Sequence, residues 1–304
     1  MSLEKYHGVI PAFYACYEED GSVSVSRTRA LARLLVDKGV KGLYVGGSSG
    51  ECIYLEKEER MTILEAVMAE VKGECTVIAH VACNNTNESR QLAAHAESLG
   101  VDAIASIPPI YFRLPDAAIA QYWNDISAAA PNTDFIIYNI PQLAGVALTL
   151  PLFQEMRKNP KVIGVKNSSM PAQDIQMFVH EGGENCVVFN GPDEKFLAGR
   201  AIGAHGGIGG TYAVMPELFL RMDALIREGH IDKAQPIQHE VNDIIMEMCG
   251  CKGNLYAVMK KIIAINDGVD AGGVRKPLPD LQDGDRPKVE AAAAHIREAV
   301  AKYC

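Results

Sequence analysis

Lys166 closes the run Val162-Ile-Gly-Val-Lys166, a short β-branched segment of the kind that forms a buried strand. Desolvation at such a position favours a neutral amine, and a neutral amine attacks a ketone or aldehyde to form an imine. Taken alone, a strand-end lysine reads as a side chain reaching for solvent. Its companions change that reading. Tyr138 ends Phe135-Ile-Ile-Tyr138 and leads into Asn139-Ile-Pro141. A phenol there can move protons to and from a substrate hydroxyl, or be a strand aromatic with a satisfied hydroxyl. A third run, Gly42-Leu-Tyr-Val45, enters Gly46-Gly-Ser-Ser-Gly-Glu51. Its successive N–H groups, with the hydroxyls of Ser48 and Ser49, suit a carboxylate, although Gly/Ser turns are common. Glu51 is expected to brace that loop by hydrogen bonding rather than to act in catalysis.

Two further loops are candidates. Gly191-Pro-Asp-Glu194 brings Asp193 and Glu194 towards the same region, where carboxylates can hold sugar hydroxyls; acidic residues are equally favoured in the first turn of any helix. Gly206-Gly-Ile-Gly-Gly210 contains no lysine or arginine, so close backbone packing is expected there rather than phosphate binding. No His-x-His, His-Glu-x-x-His or paired Cys-x-x-Cys pattern occurs, and Cys249-Gly-Cys251 has no partners at metal-ligand spacing. Neither a metal nor a cofactor is expected. Carbanion chemistry at a carbonyl then needs a covalent electron sink, and Lys166 is the available one.

The elements that must position these groups alternate. Strand-like runs begin at Gly8, Gly42, Thr76, Ala103, Phe135, Val162, Val187 and Gly206. Helical periodicity follows each, near 26–38, 56–72, 87–99, 116–129, 149–158, 172–181, 193–202 and 215–228. Continuous apolar runs fit parallel strands buried on both faces. Eight strand–helix pairs predict a (β/α)8 TIM barrel over residues 1–229. An open doubly wound sheet would want a glycine fingerprint after the first strand, and none is there. Beyond 230 the alternation stops, and helices near 231–249, 253–266 and 287–302 predict a C-terminal helical extension over 230–304. In a barrel the strand C-termini form the active-site mouth, so Lys166, Tyr138 and the Ser48-Ser49 loop should converge there.

Composition narrows the class. Hydrophobic residues at 48% supply a large core for 304 residues, and no run of about 18 apolar residues could span a bilayer. The net charge of −9 is spread along the chain, which argues against nucleic acid or an anionic membrane as partner. An anionic substrate then requires local positive potential at the site. The eight cysteines are dilute and read as reduced thiols, and the N-terminus lacks a secretory apolar core, so a cytoplasmic location is expected.

Gly42-Leu-Tyr-Val-Gly-Gly-Ser-Ser-Gly-Glu51, Tyr138-Asn-Ile-Pro141, Gly164-Val-Lys-Asn-Ser168 and Arg275-Lys-Pro-Leu278 resemble, in order, the superfamily of N-acetylneuraminate lyases and dihydrodipicolinate synthases. The resemblance implies a TIM barrel with a helical extension, assembled as a homotetramer. It makes Lys166 the Schiff-base lysine, Tyr138 the proton relay, and Ser48 and Ser49 the binders of the pyruvate carboxylate. Tyr111 matches a tyrosine lent across a subunit interface. The synthase branch carries an arginine where Leu143 stands here, so the clamp for a dicarboxylate is missing. The lyase branch tolerates leucine there and uses Gly191, Asp193 and Glu194 for the sugar's glycerol tail, with Ser168 in place of a threonine. Pro192 and Gly210 depart from it, replacing an aromatic residue and a serine, and Ser49 replaces a threonine. The implied activity is a class I aldolase cleaving N-acetylneuraminate to N-acetylmannosamine and pyruvate. The alternatives are an aldolase for another 2-keto-3-deoxy sugar acid, a dihydrodipicolinate synthase, or a catalytically retired ligand-binding barrel.

Overall fold

A computed structural model describes residues 3–304. Its eight strands are β1 (Gly8–Pro11), β2 (Gly42–Val45), β3 (Thr76–His80), β4 (Ala103–Ser106), β5 (Asp134–Asn139), β6 (Val162–Asn167), β7 (Val187–Asn190) and β8 (Gly206–Gly209). All pair in parallel, in the order β1-β8-β7-β6-β5-β4-β3-β2. The circle closes between β1 and β2. The Lys41 amide donates to the Val9 carbonyl, that of Phe13 donates to Tyr44, and Ala12 bridges Tyr44 in parallel. The sheet is thus a barrel without a free edge, as the alternation predicts.

Two apolar cores explain why the strands read as continuous hydrophobic runs. Inward-facing Ile10, Tyr44, Ile78, Ala105, Ile136, Phe189 and Ile208 fill the barrel, while alternate residues such as Val9, Leu43, Val77, Ile104, Ile137 and Val188 pack under the helices. Glycine-rich β8 fits closely, because a Cβ on Gly206 would stand 2.3 Å from the Gly8 carbonyl oxygen. Close packing is therefore what that segment does.

The helices start where capping residues stand. Ser24 accepts from the Arg27 amide ahead of helix Val25–Asp37, and Glu56 and Glu59 form a reciprocal capping box at helix Lys57–Val71. Helices Thr86–Leu99, Asp116–Ala128, Leu150–Arg157, Ala172–Gly182 and Pro216–Arg227 lie close to their predicted spans. The helix expected from 193 differs: a 3-10 turn, Asp193–Lys195, comes first and the α-helix runs only over Phe196–Ala201. The Asp193 carboxylate turns to Thr211 instead of capping that helix. Helices Ile231–Cys249, Leu255–Asp267 and Arg286–Tyr303 form the expected extension and share the outer core through Val241, Ile244, Ile262 and Ile296. None of the described helices is long and apolar enough to cross a membrane. The eight cysteines are free.

Candidate active site

Parallel pairing of β5 with β6 sets Tyr138 opposite Lys166 and Asn139 opposite Asn167. The strand ends are locked there: Asn139 Nδ2 donates to Asn167 Oδ1 at 2.7 Å, and Asn167 Nδ2 donates to Ser169 Oγ at 2.9 Å. Lys166 is only 4% exposed, so it does not reach for solvent. Its Nζ lies 3.7 Å from the Tyr138 ring centre and 4.5 Å from that of Tyr44. Both rings present an aromatic face to whatever positive charge the nitrogen carries.

Beneath this pair lie two residues that the sequence reading passed over. Tyr44 and His80 meet Tyr138 edge-on, with centroids 5.8 and 5.9 Å away. His80 Nδ1 stands 2.9 Å from the Gly46 carbonyl; a carbonyl only accepts, so Nδ1 carries the proton. Burial, joined by the nearby Arg60 charge, holds His80 well below the usual histidine range, so the ring is neutral. His80 Nε2 and the Tyr44 hydroxyl are buried without hydrogen-bond partners among the described residues. Their signal in the sequence is a polar ring at or near the end of an apolar strand, the same signal that singled out Tyr138.

The loop after β2 is not a simple lead into a helix. It folds as two 3-10 turns, Ser48–Gly50 and Cys52–Tyr54, hinged on Glu51 at φ 55°. Ser49 is buried, Ser48 half-buried, and the Ser49 side chain lies beside the Tyr256 phenol, which burial pushes up to about 12 against the lowering effect of Ser49. Glu51 braces the loop as expected. Its carboxylate accepts from Lys260 Nζ at 2.7 Å, the Arg275 amide at 2.7 Å and the Tyr17 hydroxyl at 3.2 Å. Tyr256 and Lys260 both belong to the C-terminal extension, to which the sequence assigned no part in the site.

The remaining candidates separate. Ser168 is buried at the end of β6, and its amide donates to Asn139 O at 2.7 Å. Gly191 packs directly against it, since a Cβ there would stand 2.0 Å from Ser168 Oγ. Asp193 is buried and accepts from both the amide and the hydroxyl of Thr211, each at 2.6 Å. Glu194 is exposed. Tyr111 is not brought to Lys166 within the chain: it is 89% exposed beside an exposed Phe112, and its φ of 86° turns the loop outwards. Leu143, also exposed, sits in a short helix, Pro141–Ala144. Among the described residues, no group of His, Cys, Asp and Glu is arranged to hold a metal ion.

A model of the dihydrodipicolinate synthetase family matches residues 5–296. The chain belongs to this family. One member, the N-acetylneuraminate lyase of Mediterraneibacter gnavus, is 62% identical over 302 residues, covering 99% of this chain and 96% of the relative. The N-acetylneuraminate lyase of Escherichia coli is 32% identical over 291 residues, 96% of this chain and 97% of the relative. Among solved structures, a catalytic lysine mutant of the Ruminococcus gnavus sialic acid aldolase superposes with a TM-score of 0.99 at 61% identity, covering both chains completely. The fold of that aldolase and the barrel described above agree from end to end.

Proposed function

We propose that this chain is a class I aldolase that cleaves N-acetylneuraminate to N-acetylmannosamine and pyruvate. The observation that carries the reading is the buried Lys166 amine, held 3.7 Å from the Tyr138 ring at the C-terminal end of β6. The lyase relatives at 62% and 32% identity support the substrate, and the relative known as a catalytic lysine mutant supports the use of a lysine.

In this mechanism the Lys166 amine adds to the C2 ketone of the open-chain sugar acid, and loss of water gives an iminium. The C4 hydroxyl then yields its proton to Tyr138 through the substrate carboxylate, which Ser48 and Ser49 hold. The C3–C4 bond breaks, its electrons pass to the iminium, and N-acetylmannosamine leaves as the aldehyde. Protonation of the resulting enamine at C3 and hydrolysis release pyruvate and restore the amine. The Tyr44 and Tyr138 rings that flank the ammonium serve the iminium equally, since both are cations. Ser168, Asp193 and Glu194 receive the sugar chain, with Gly191 keeping the wall narrow. Residues 1–229 act as the catalytic barrel and 230–304 as its helical extension. The chain works as a cytoplasmic homotetramer without a cofactor, in which Tyr111, exposed on one protomer, completes the mouth of another.

A second reading, an aldolase for another 2-keto-3-deoxy sugar acid, is favoured by Pro192 and Gly210, which lack the side chains lyases usually turn to the sugar. Borohydride reduction in the presence of pyruvate should leave an adduct on Lys166; an unmodified Lys166 under conditions that label a known aldolase would sink the imine mechanism. Pyruvate release measured across N-acetylneuraminate and several deoxy sugar acids separates the two substrates. Faster turnover of a deoxy sugar acid would favour the second reading.

A further inference from the structure

The helix Leu255–Asp267 of the extension touches the Ser48–Glu51 loop at two points one helical turn apart. The Tyr256 side chain lies beside Ser49, and Lys260 donates to Glu51. The second contact is an ion pair in which neither side chain has any exposed surface. Its remaining hydrogen-bonding capacity is also engaged. Lys260 Nζ donates to the Gly273 carbonyl at 2.7 Å and lies 4.7 Å from the Tyr17 ring centre. The Tyr17 hydroxyl and the Arg275 amide complete the coordination of Glu51.

A buried ion pair is weak evidence for stability, because the desolvation of two charges offsets most of their attraction; what it does well is specify one arrangement. The arrangement here is unusual. Glu51 is one of two residues other than glycine with positive φ among those described, and it directly follows the turn that carries Ser48 and Ser49. A non-glycine residue keeps that conformation only when its surroundings over-determine it.

We propose that Lys260 is a positioning residue for the keto-acid subsite: acting through Glu51, it holds the Ser48–Ser49 turn in the shape that receives the substrate carboxylate. This rests on the aldolase reading for the identity of the ligand. Lys260 touches neither substrate nor Lys166 in this role. Without the ammonium, Glu51 is a buried carboxylate that has lost its ion-pair partner, and the loop must move to rehydrate it.

The test uses full-length Lys260→Met and Lys260→Met/Glu51→Gln. Steady-state kinetics in the condensing direction should show KM for pyruvate raised at least tenfold in the single variant while kcat falls less than threefold. The double variant, in which no uncompensated charge is buried, should recover most of the loss. Hydrogen exchange gives a readout that needs no ligand: amides of residues 48–52 should lose protection in the single variant, with β5 and β6 unchanged. A wild-type protein that pyruvate and borohydride fail to label would defeat the aldolase reading, yet the exchange result would still decide the positioning role. Unchanged protection at 48–52, or a lowered melting temperature with an unaltered KM, would overturn the proposal.

Discussion

Lys166 Nζ sits 3.7 Å from the centre of the Tyr138 ring, and the two residues oppose one another across the β5–β6 ladder. Ring and hydroxyl therefore have separable effects. Tyr138→Phe keeps the aromatic face against the cation and removes only the group that carries a proton. Borohydride trapping of pyruvate on Lys166 should persist in this variant, while kcat for pyruvate release falls by about 10²- to 10⁴-fold, the usual size of a general acid–base contribution. A variant that cleaves at the wild-type rate would remove Tyr138 from the proton path.

Gly191, proposed to keep the sugar-receiving wall narrow, has no room for a methyl group. A Cβ there would lie 2.0 Å from Ser168 Oγ, 2.7 Å from Ser168 Cα and 2.8 Å from the Asn167 carbonyl oxygen. The hydroxyl can rotate away, but the two backbone atoms cannot. Gly191→Ala is therefore expected to cost about 1–3 kcal/mol of stability in a denaturant titration. At Gly210 the nearest atom to an added Cβ is Ser49 Oγ at 3.2 Å, so Gly210→Ala should change the midpoint far less. Equal effects at the two positions would contradict this account of the wall.

Local signals made the barrel legible. Buried parallel strands are uniformly apolar, so a reactive residue such as Lys166 stands out at the end of one, and so does Tyr138. Tyr44 and His80 bear the same mark and were passed over, because along a strand buried on both faces no alternation tells which side chains point into the barrel. Lys260 was invisible for another reason. It sits in Val258-Met-Lys-Lys-Ile262, where a lysine looks like the solvent face of an amphipathic helix, and its partner Glu51 is 209 residues away. Glu51 itself was legible as a brace because loop, glycines and carboxylate are contiguous. Asp193 had two readings, helix cap or sugar ligand, and its carboxylate in fact meets Thr211, a contact set by the return of the chain through β8.

The burial of that carboxyl gives the chain a measurable dependence on pH. Burial pushes the Asp193 carboxyl up to about 7, with the Thr211 hydrogen bonds opposing the rise, the Glu194 charge adding to it and the Lys166 charge reducing it. In the unfolded chain the same carboxyl returns to the usual aspartate value of about 3.9. Between these values the folded state binds more protons than the unfolded state, so the linkage slope is negative and stability falls as pH rises. The contribution is complete below about pH 4 and is lost as pH passes 7, at a limiting slope of about 1.4 kcal/mol per pH unit for one proton. Asp193→Asn keeps a carbonyl oxygen for the Thr211 amide and hydroxyl but cannot titrate. The unfolding free energy of the variant should accordingly gain on the wild type between pH 4 and 8, measured by urea midpoints at each pH. If Asp193 receives the sugar chain as proposed, the variant's KM for N-acetylneuraminate should rise while pyruvate trapping on Lys166 is unchanged. A stability difference that stays flat across this range would mean that Asp193 titrates alike in the folded and unfolded chains, and that the Thr211 hydrogen bonds offset burial in full.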